Sequence, residues 1–171
     1  MVELGDRIHV IGGGGSGKTT LARHLATTRG LPLWELDRQG PMEEVAGHAR
    51  WVMEGIFLYH VDVAFERATS IVWLDLPPGL AARRIVARHV KLSLLRKNPH
   101  PGLGKLAHFV ADQREYYTRP ARLPESATDW GALSRAATVL ALEPYRDKVI
   151  HLATPREVRR FSRRTGATAD R

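Results

Sequence analysis

Five of the six residues from Gly12 to Gly17 are glycine, and the run ends in Lys18-Thr19-Thr20. A glycine inside a regular element costs about 0.5–1 kcal/mol against alanine, so a folded chain keeps such a run only where a side chain would obstruct something. The expected obstructed group is a phosphate. Gly12, four residues, then Gly17-Lys18-Thr19 match GxxxxGK[ST], the loop whose backbone amides cradle the phosphates of a nucleotide. That mechanism needs a buried strand entering the loop and a helix leaving it, because the helix N-terminus supplies unpaired N–H groups and a positive dipole end. Arg7 to Ile11 (RIHVI) is a short β-branched run of the first kind. Leu21, Ala22, Leu25 and Ala26 form a helical stripe that stops at Gly30, a residue suited to a helix C-terminus. A flexible glycine linker does not sit between two such elements. The pattern assigns Gly12, Gly13, Gly14, Gly15, Ser16, Gly17, Lys18, Thr19 and Thr20 to a nucleoside triphosphate. Lys18 would reach the β- and γ-phosphates, Thr19 would bind magnesium, and Thr20 would meet the α-phosphate.

The rest of the 171 residues reads as strands alternating with helices. Further strands are expected at Leu31–Leu36, Trp51–Glu54, Ser70–Asp75 and Lys148–Leu152, giving five with the first. Helices are expected at a short stretch after Pro41, at Phe57–Ala68, from Pro77 and Pro78 to Lys97, and at Leu103–Tyr117. Two more are expected, one capped by Thr128 or Asp129 and running through Leu142, and one at Pro155–Arg164. This alternation predicts an α/β fold, a three-layer α/β/α sandwich on a five-stranded parallel sheet. One domain is expected over residues 1–164, with a helical lid at about 83–146 and a disordered tail at 165–171. Ligands of such sheets bind beyond the carboxyl ends of the strands, which draws attention to Asp37, Glu54 and Asp75.

Composition narrows the classes. The chain has no cysteine, which excludes disulfides and thiolate metal sites, and its eight histidines show neither HxxxH nor HExxH spacing. The N-terminal stretch lacks an apolar signal core, and no run approaches membrane-spanning length, so a soluble cytoplasmic protein is expected. The net charge of +8 points to an anionic partner. Arg83, Arg84, Arg88, Lys91, Arg96 and Lys97 form one basic cluster, and Arg156, Arg159, Arg160, Arg163 and Arg164 another. The second cluster reads as a solvated helix face rather than a nucleic-acid grip, since neither a recognition-helix module nor an aromatic stacking pattern accompanies it.

The segment IVWLDLPPGLAARRIVARHV, Ile71 to Val90, resembles the strand and arginine-bearing helix that lead into the lid of adenylate-kinase-like P-loop kinases. With the phosphate loop, Leu36-Asp37, WVMEG from Trp51 and YYTRP from Tyr116, the chain is most similar to the topology modulation protein and related adenylate kinase subfamily. The resemblance implies that Arg84 packs near the adenine and Arg88 reaches the phosphates. It implies that Glu54, in place of the family's usual aspartate, takes the magnesium-side role, which leaves Asp75 as a loop or cap residue. Arg119 is implied as a third phosphate clamp across the lid. Asp37 is read either as a carboxylate orienting the acceptor or as an N-cap, and Arg84 and Arg88 either as phosphate clamps or as a solvated helix face. The resulting expectation is a phosphotransferase that uses ATP and magnesium on a nucleotide or other small-molecule acceptor. The alternative is an ATP-binding regulatory module associated with nucleic acid. The stretch after Asp37 carries no recognisable nucleoside monophosphate pocket, and residues 121–147 are longer than the family pattern, so the acceptor stays open.

Overall fold

From Ile8 to Gly12 every residue of the first strand, β1 (Arg7–Gly12), is buried, as a strand covered on both faces must be. In the computed structural model, which describes residues 4–36, 42–56, 58–59, 61–126 and 128–166, β1 is the middle of a five-stranded sheet. The other strands are β2 (Leu33–Glu35), β3 (Trp51–Glu54), β4 (Ser70–Leu74) and β5 (Val149–Leu152). Their order is β2-β3-β1-β4-β5 and every pairing is parallel. Parallel neighbours require crossover connections, and these are helical. Along the chain they are α1 (Lys18–Arg29), α2 (Met42–Ala46), α3 (Val61–Arg67), α4 (Pro78–Leu94), α5 (Leu103–Thr118) and α6 (Arg135–Leu142), with α7 (Pro155–Gly166) closing the chain after β5.

The two-residue period of a strand sends alternate side chains to opposite helical layers. Ile8 and Val10 pack with Leu21, Ala22 and Leu25 of α1, against which Val158 and Phe161 of α7 also lie. Ile11, Trp51, Met53, Ile71 and Trp73 pack on the other side with Val45 of α2, Val61 and Phe65 of α3, and Ala137 and Leu142 of α6. His9, also on that side, sits tilted over Phe65 at 5.3 Å between ring centres. The register pairs Val10 with Glu54 and Gly12 with Leu74, so the chain leaves β1 between the carboxyl ends of β3 and β4. Among the described residues, no helix is long and apolar enough to cross a membrane.

The elements follow the expected order, with differences at their ends. The second strand is confined to Leu33–Glu35, and the long basic helix stops at Leu94 rather than Lys97. The larger correction concerns α6. Asp129 does not cap it, because its carboxylate is held by Arg122 at 2.6 and 2.9 Å and accepts the Glu125 N–H at 3.2 Å. The chain instead makes a 3-10 turn at Trp130–Ala132, and Ser134 caps α6 by accepting the Ala137 N–H at 2.9 Å.

Candidate functional site

The loop from β1 to α1 turns on two left-handed glycines, Gly15 at φ 72° and Gly17 at φ 95°. Gly17 is the N-cap of α1, so no side chain satisfies the helix's first amides, and no acidic residue stands in its first turn. The unpaired N–H groups and the positive end of the dipole are therefore left open to an external anion. Ser16 is buried in the same loop, and its Oγ has no hydrogen-bond partner.

The glycine run has a second cause that the pattern does not reveal, which is contact with the helices around the loop. A Cβ on Gly13 would lie 2.8 Å from the Tyr116 ring, and one on Gly14 would lie 2.5 Å from the Gln113 carboxamide, both on α5. A Cβ on Gly15 would lie 2.6 Å from the carbonyl oxygen of Ala81 on α4. The obstructed groups at these positions are thus parts of the protein itself, and the expectation of a phosphate alone is corrected. Tyr116 is held over the loop by burial and by a hydrogen bond with Thr138 of α6 at 3.3 Å. That burial pushes its phenol up to about 12.

Several residues expected in the site converge here. Thr19 Oγ1 donates to Glu54 Oε1 at 2.8 Å, joining the first turn of α1 to the end of β3, and Glu54 is only 4% exposed. A hydroxyl and a carboxylate are hard oxygen donors of the kind magnesium takes, so the pair fits that ion. Among the described residues no cluster of three His, Asp or Glu could hold a metal without further ligands, so phosphate oxygens and waters would have to complete the shell. Arg84 reaches over from α4 and donates from a guanidinium nitrogen to the Ser16 carbonyl at 2.8 Å. Arg88, one turn further along α4, faces the same open cleft of about 580 Å³ as Lys18, Thr19 and Thr20. Further walls of this cleft come from Ile85 on α4, Leu21 and His24 on α1, and Val158 and Ser162 on α7.

Other expected residues are placed elsewhere. Arg119 ends α5 in an ion pair with Glu115 of the same helix and does not line the cleft. Asp37 lies outside the described residues. Asp75 lies in the loop after β4, one of the two places expected for it, and Pro77 rather than Asp75 caps α4. Its carboxylate is 6% exposed and takes two hydrogen bonds from Arg135 of α6, at 2.8 and 2.7 Å, and one from His151 of β5 at 3.0 Å. Burial pushes this carboxyl up, but the bonds and charges of Arg135 and His151 together outweigh it and hold the group below the usual carboxylate range. His151 in turn stacks on Trp73 at 4.4 Å. The five arginines of α7 are exposed.

Sequence reasoning missed the walls of the cleft. His24 and Ser162 are ordinary polar residues on amphipathic helices, and only the packing of α7 on α1 brings them together. Gln113 and Tyr116 carried a faint signal, since a run of glycines longer than the phosphate loop requires implies close neighbours.

No family model matches the chain, and no curated protein matches it in sequence. Solved structures do. A shikimate kinase from Acinetobacter baumannii in complex with shikimate is 15% identical, covering 95% of this chain and 91% of that one with a TM-score of 0.48. A sugar kinase from Janibacter sp. HTCC2649 is 20% identical over 95% of this chain and 90% of that one, with a TM-score of 0.47. A gluconokinase from Sinorhizobium meliloti 1021 is 15% identical, covers 96% of this chain and 91% of that one, and has a TM-score of 0.52. At that identity the likeness to the gluconokinase is one of fold, and the chain has the α/β fold of the P-loop kinases.

Proposed function

We propose that this chain is an ATP-dependent phosphotransferase that moves the γ-phosphoryl group to a nucleotide or other small-molecule acceptor. One observation carries the reading. An uncapped helix N-terminus, Lys18, Thr19 and the guanidinium groups of Arg84 and Arg88 all border one open cleft, and Glu54 is hydrogen-bonded to Thr19 at its edge. Phosphoryl transfer asks little covalent chemistry of a protein and much electrostatics. The loop amides and α1 would hold the triphosphate, with Lys18 on its β- and γ-phosphates and Thr20 on the α-phosphate. Arg84 and Arg88 would present forked donors to phosphate oxygens as negative charge redistributes. Thr19 and Glu54 would hold magnesium, which when bound neutralises part of the phosphate charge. Asp37 is proposed to orient the acceptor from the end of the second strand, and Arg119 to act as a further clamp once released from Glu115. The motifs shared with the topology modulation protein and related adenylate kinase subfamily support this division of roles.

The test is product formation from ATP and magnesium with a panel of nucleoside monophosphates, sugars, sugar acids and small alcohols, read by mass spectrometry. ADP and one phosphorylated acceptor are expected, with Lys18→Ala reducing turnover by at least about a hundredfold, as loss of a positioned transition-state cation does. A folded wild-type protein with no measurable affinity for ATP or GTP in magnesium overturns the proposal.

A further inference from the structure

The cleft does not stop at the phosphate loop. It continues along α1 past Thr20 to His24, and reaches α7 at Val158 and Ser162. His24 stands six residues beyond Lys18, about 9 Å along the helix axis. It therefore lies past the point where Thr20 would meet the α-phosphate, on the side of the cleft left for the nucleoside. Ile85 and Val158 give this end apolar walls.

The hydrogen bond of His24 fixes which ring nitrogen is which. Nε2 lies 2.9 Å from the carbonyl oxygen of Ser162. A carbonyl only accepts, so Nε2 carries the hydrogen and, in the neutral ring, Nδ1 is left as an acceptor. Nδ1 makes no hydrogen bond among the described residues. Adenine presents an exocyclic amine, a donor, where guanine presents a carbonyl oxygen, an acceptor. An acceptor on the protein therefore pairs with the first and repels the second.

We propose that His24, with its tautomer set by Ser162, reads the 6-position of the bound purine and makes this cleft selective for adenine over guanine nucleotides. The inference rests on the reading of the cleft as a triphosphate site and adds a specificity-determining residue to it. With a 6-carbonyl in place of the amine, two acceptors face each other, a mismatch expected to weaken binding about tenfold.

The experiment is competition of ATP, GTP and ITP against a fluorescent nucleotide analogue, with magnesium present, near pH 8. ITP shares the 6-carbonyl of GTP but lacks its 2-amino group, so it isolates the position in question without any mutation. In the wild-type protein GTP and ITP are both expected to bind about tenfold more weakly than ATP. His24→Lys retains a donor toward Ser162 and carries no acceptor, so the gap should shrink to about twofold or less, its added charge raising the affinity for all three triphosphates alike and the melting temperature reporting that the variant folds. ITP binding as tightly as ATP overturns the proposal, as does a gap unchanged in His24→Lys. If wild-type protein binds ATP but does not discriminate, only this inference fails. If it binds none of the three nucleotides, the triphosphate reading fails and takes this one with it.

Discussion

Gly14 and Gly15 are neighbours in the loop, yet a methyl group added to each meets a different obstacle. At Gly14 it meets the far end of the Gln113 side chain, which can swing aside. At Gly15 it meets the backbone carbonyl of Ala81, and φ is 72°. Gly15→Ala is therefore expected to cost roughly 2–4 kcal/mol, combining left-handed strain with overpacking. Gly14→Ala should cost under about 1 kcal/mol, and urea denaturation of the two variants checks the order. His9 makes a second residue-level prediction. Its complete burial lowers the imidazole from 6.5 to about 4. Between those values the unfolded chain binds a proton that the native chain refuses, so stability falls as the solution is acidified through this window. The loss attributable to His9 approaches roughly 3 kcal/mol. Unfolding measured at several pH values should show a shallower slope for His9→Leu, and an unchanged slope would contradict the assignment.

At the level of elements, α5 and α6 form the outer support of the phosphate loop. The path runs from Gly13 to Tyr116, from Tyr116 to Thr138, and from α6 through Arg135 to Asp75 at the end of β4. Tyr116→Phe keeps the ring over Gly13 and loses one hydrogen bond, so it should cost about 1 kcal/mol. Tyr116→Ala removes the ring, and should cost roughly 3–5 kcal/mol and weaken nucleotide binding as well. The two variants separate the hydrogen bond from the packing. Asp75→Ala strips Arg135 and His151 of a shared, nearly buried partner and is expected to cost roughly 1–3 kcal/mol. Breaking the Arg122–Asp129 pair by Arg122→Ala should have a much smaller effect, because both groups keep access to water. Because the Asp75 carboxyl is held below its ordinary range, its contribution is complete at neutral pH. It is lost only as pH falls through the depressed value. An Asp75→Ala effect no larger than that of Arg122→Ala would show that the tie does not support α6.

For the whole molecule, ligand and fold are linked by mass action. A nucleotide that binds only the native state at a hundred times its Kd adds about 2.7 kcal/mol. In a chain of this size that raises the melting temperature by roughly 5–10 °C. Magnesium with ATP should produce this shift, and Lys18→Ala should abolish it while leaving the melting temperature of the free protein near that of the wild type. The basic face of α7 does not enter this prediction, since its five arginines are exposed.

The sequence alone determined what depends on neighbours along the chain. The β1–loop–α1 unit is local, so Gly12 to Thr20 could be placed from glycine, lysine and threonine order, and the alternation of apolar runs gave five parallel strands. The carboxylate at the end of β3 was also legible, because strand ends are where such sheets place their ligands. Tertiary structure decided everything that depends on which surfaces meet. Asp129 and Ser134 are equally good caps on paper, and the choice fell to Ser134 because Arg122 already holds Asp129. Gln113 and Tyr116 lie about a hundred residues beyond the glycines they cover, and Ser162 is 138 residues from the histidine whose tautomer it sets. A sequence pattern records the period of an element and the chemistry of a turn. Contacts between elements distant in the chain are set by how the helices pack on the sheet, and no local pattern encodes that.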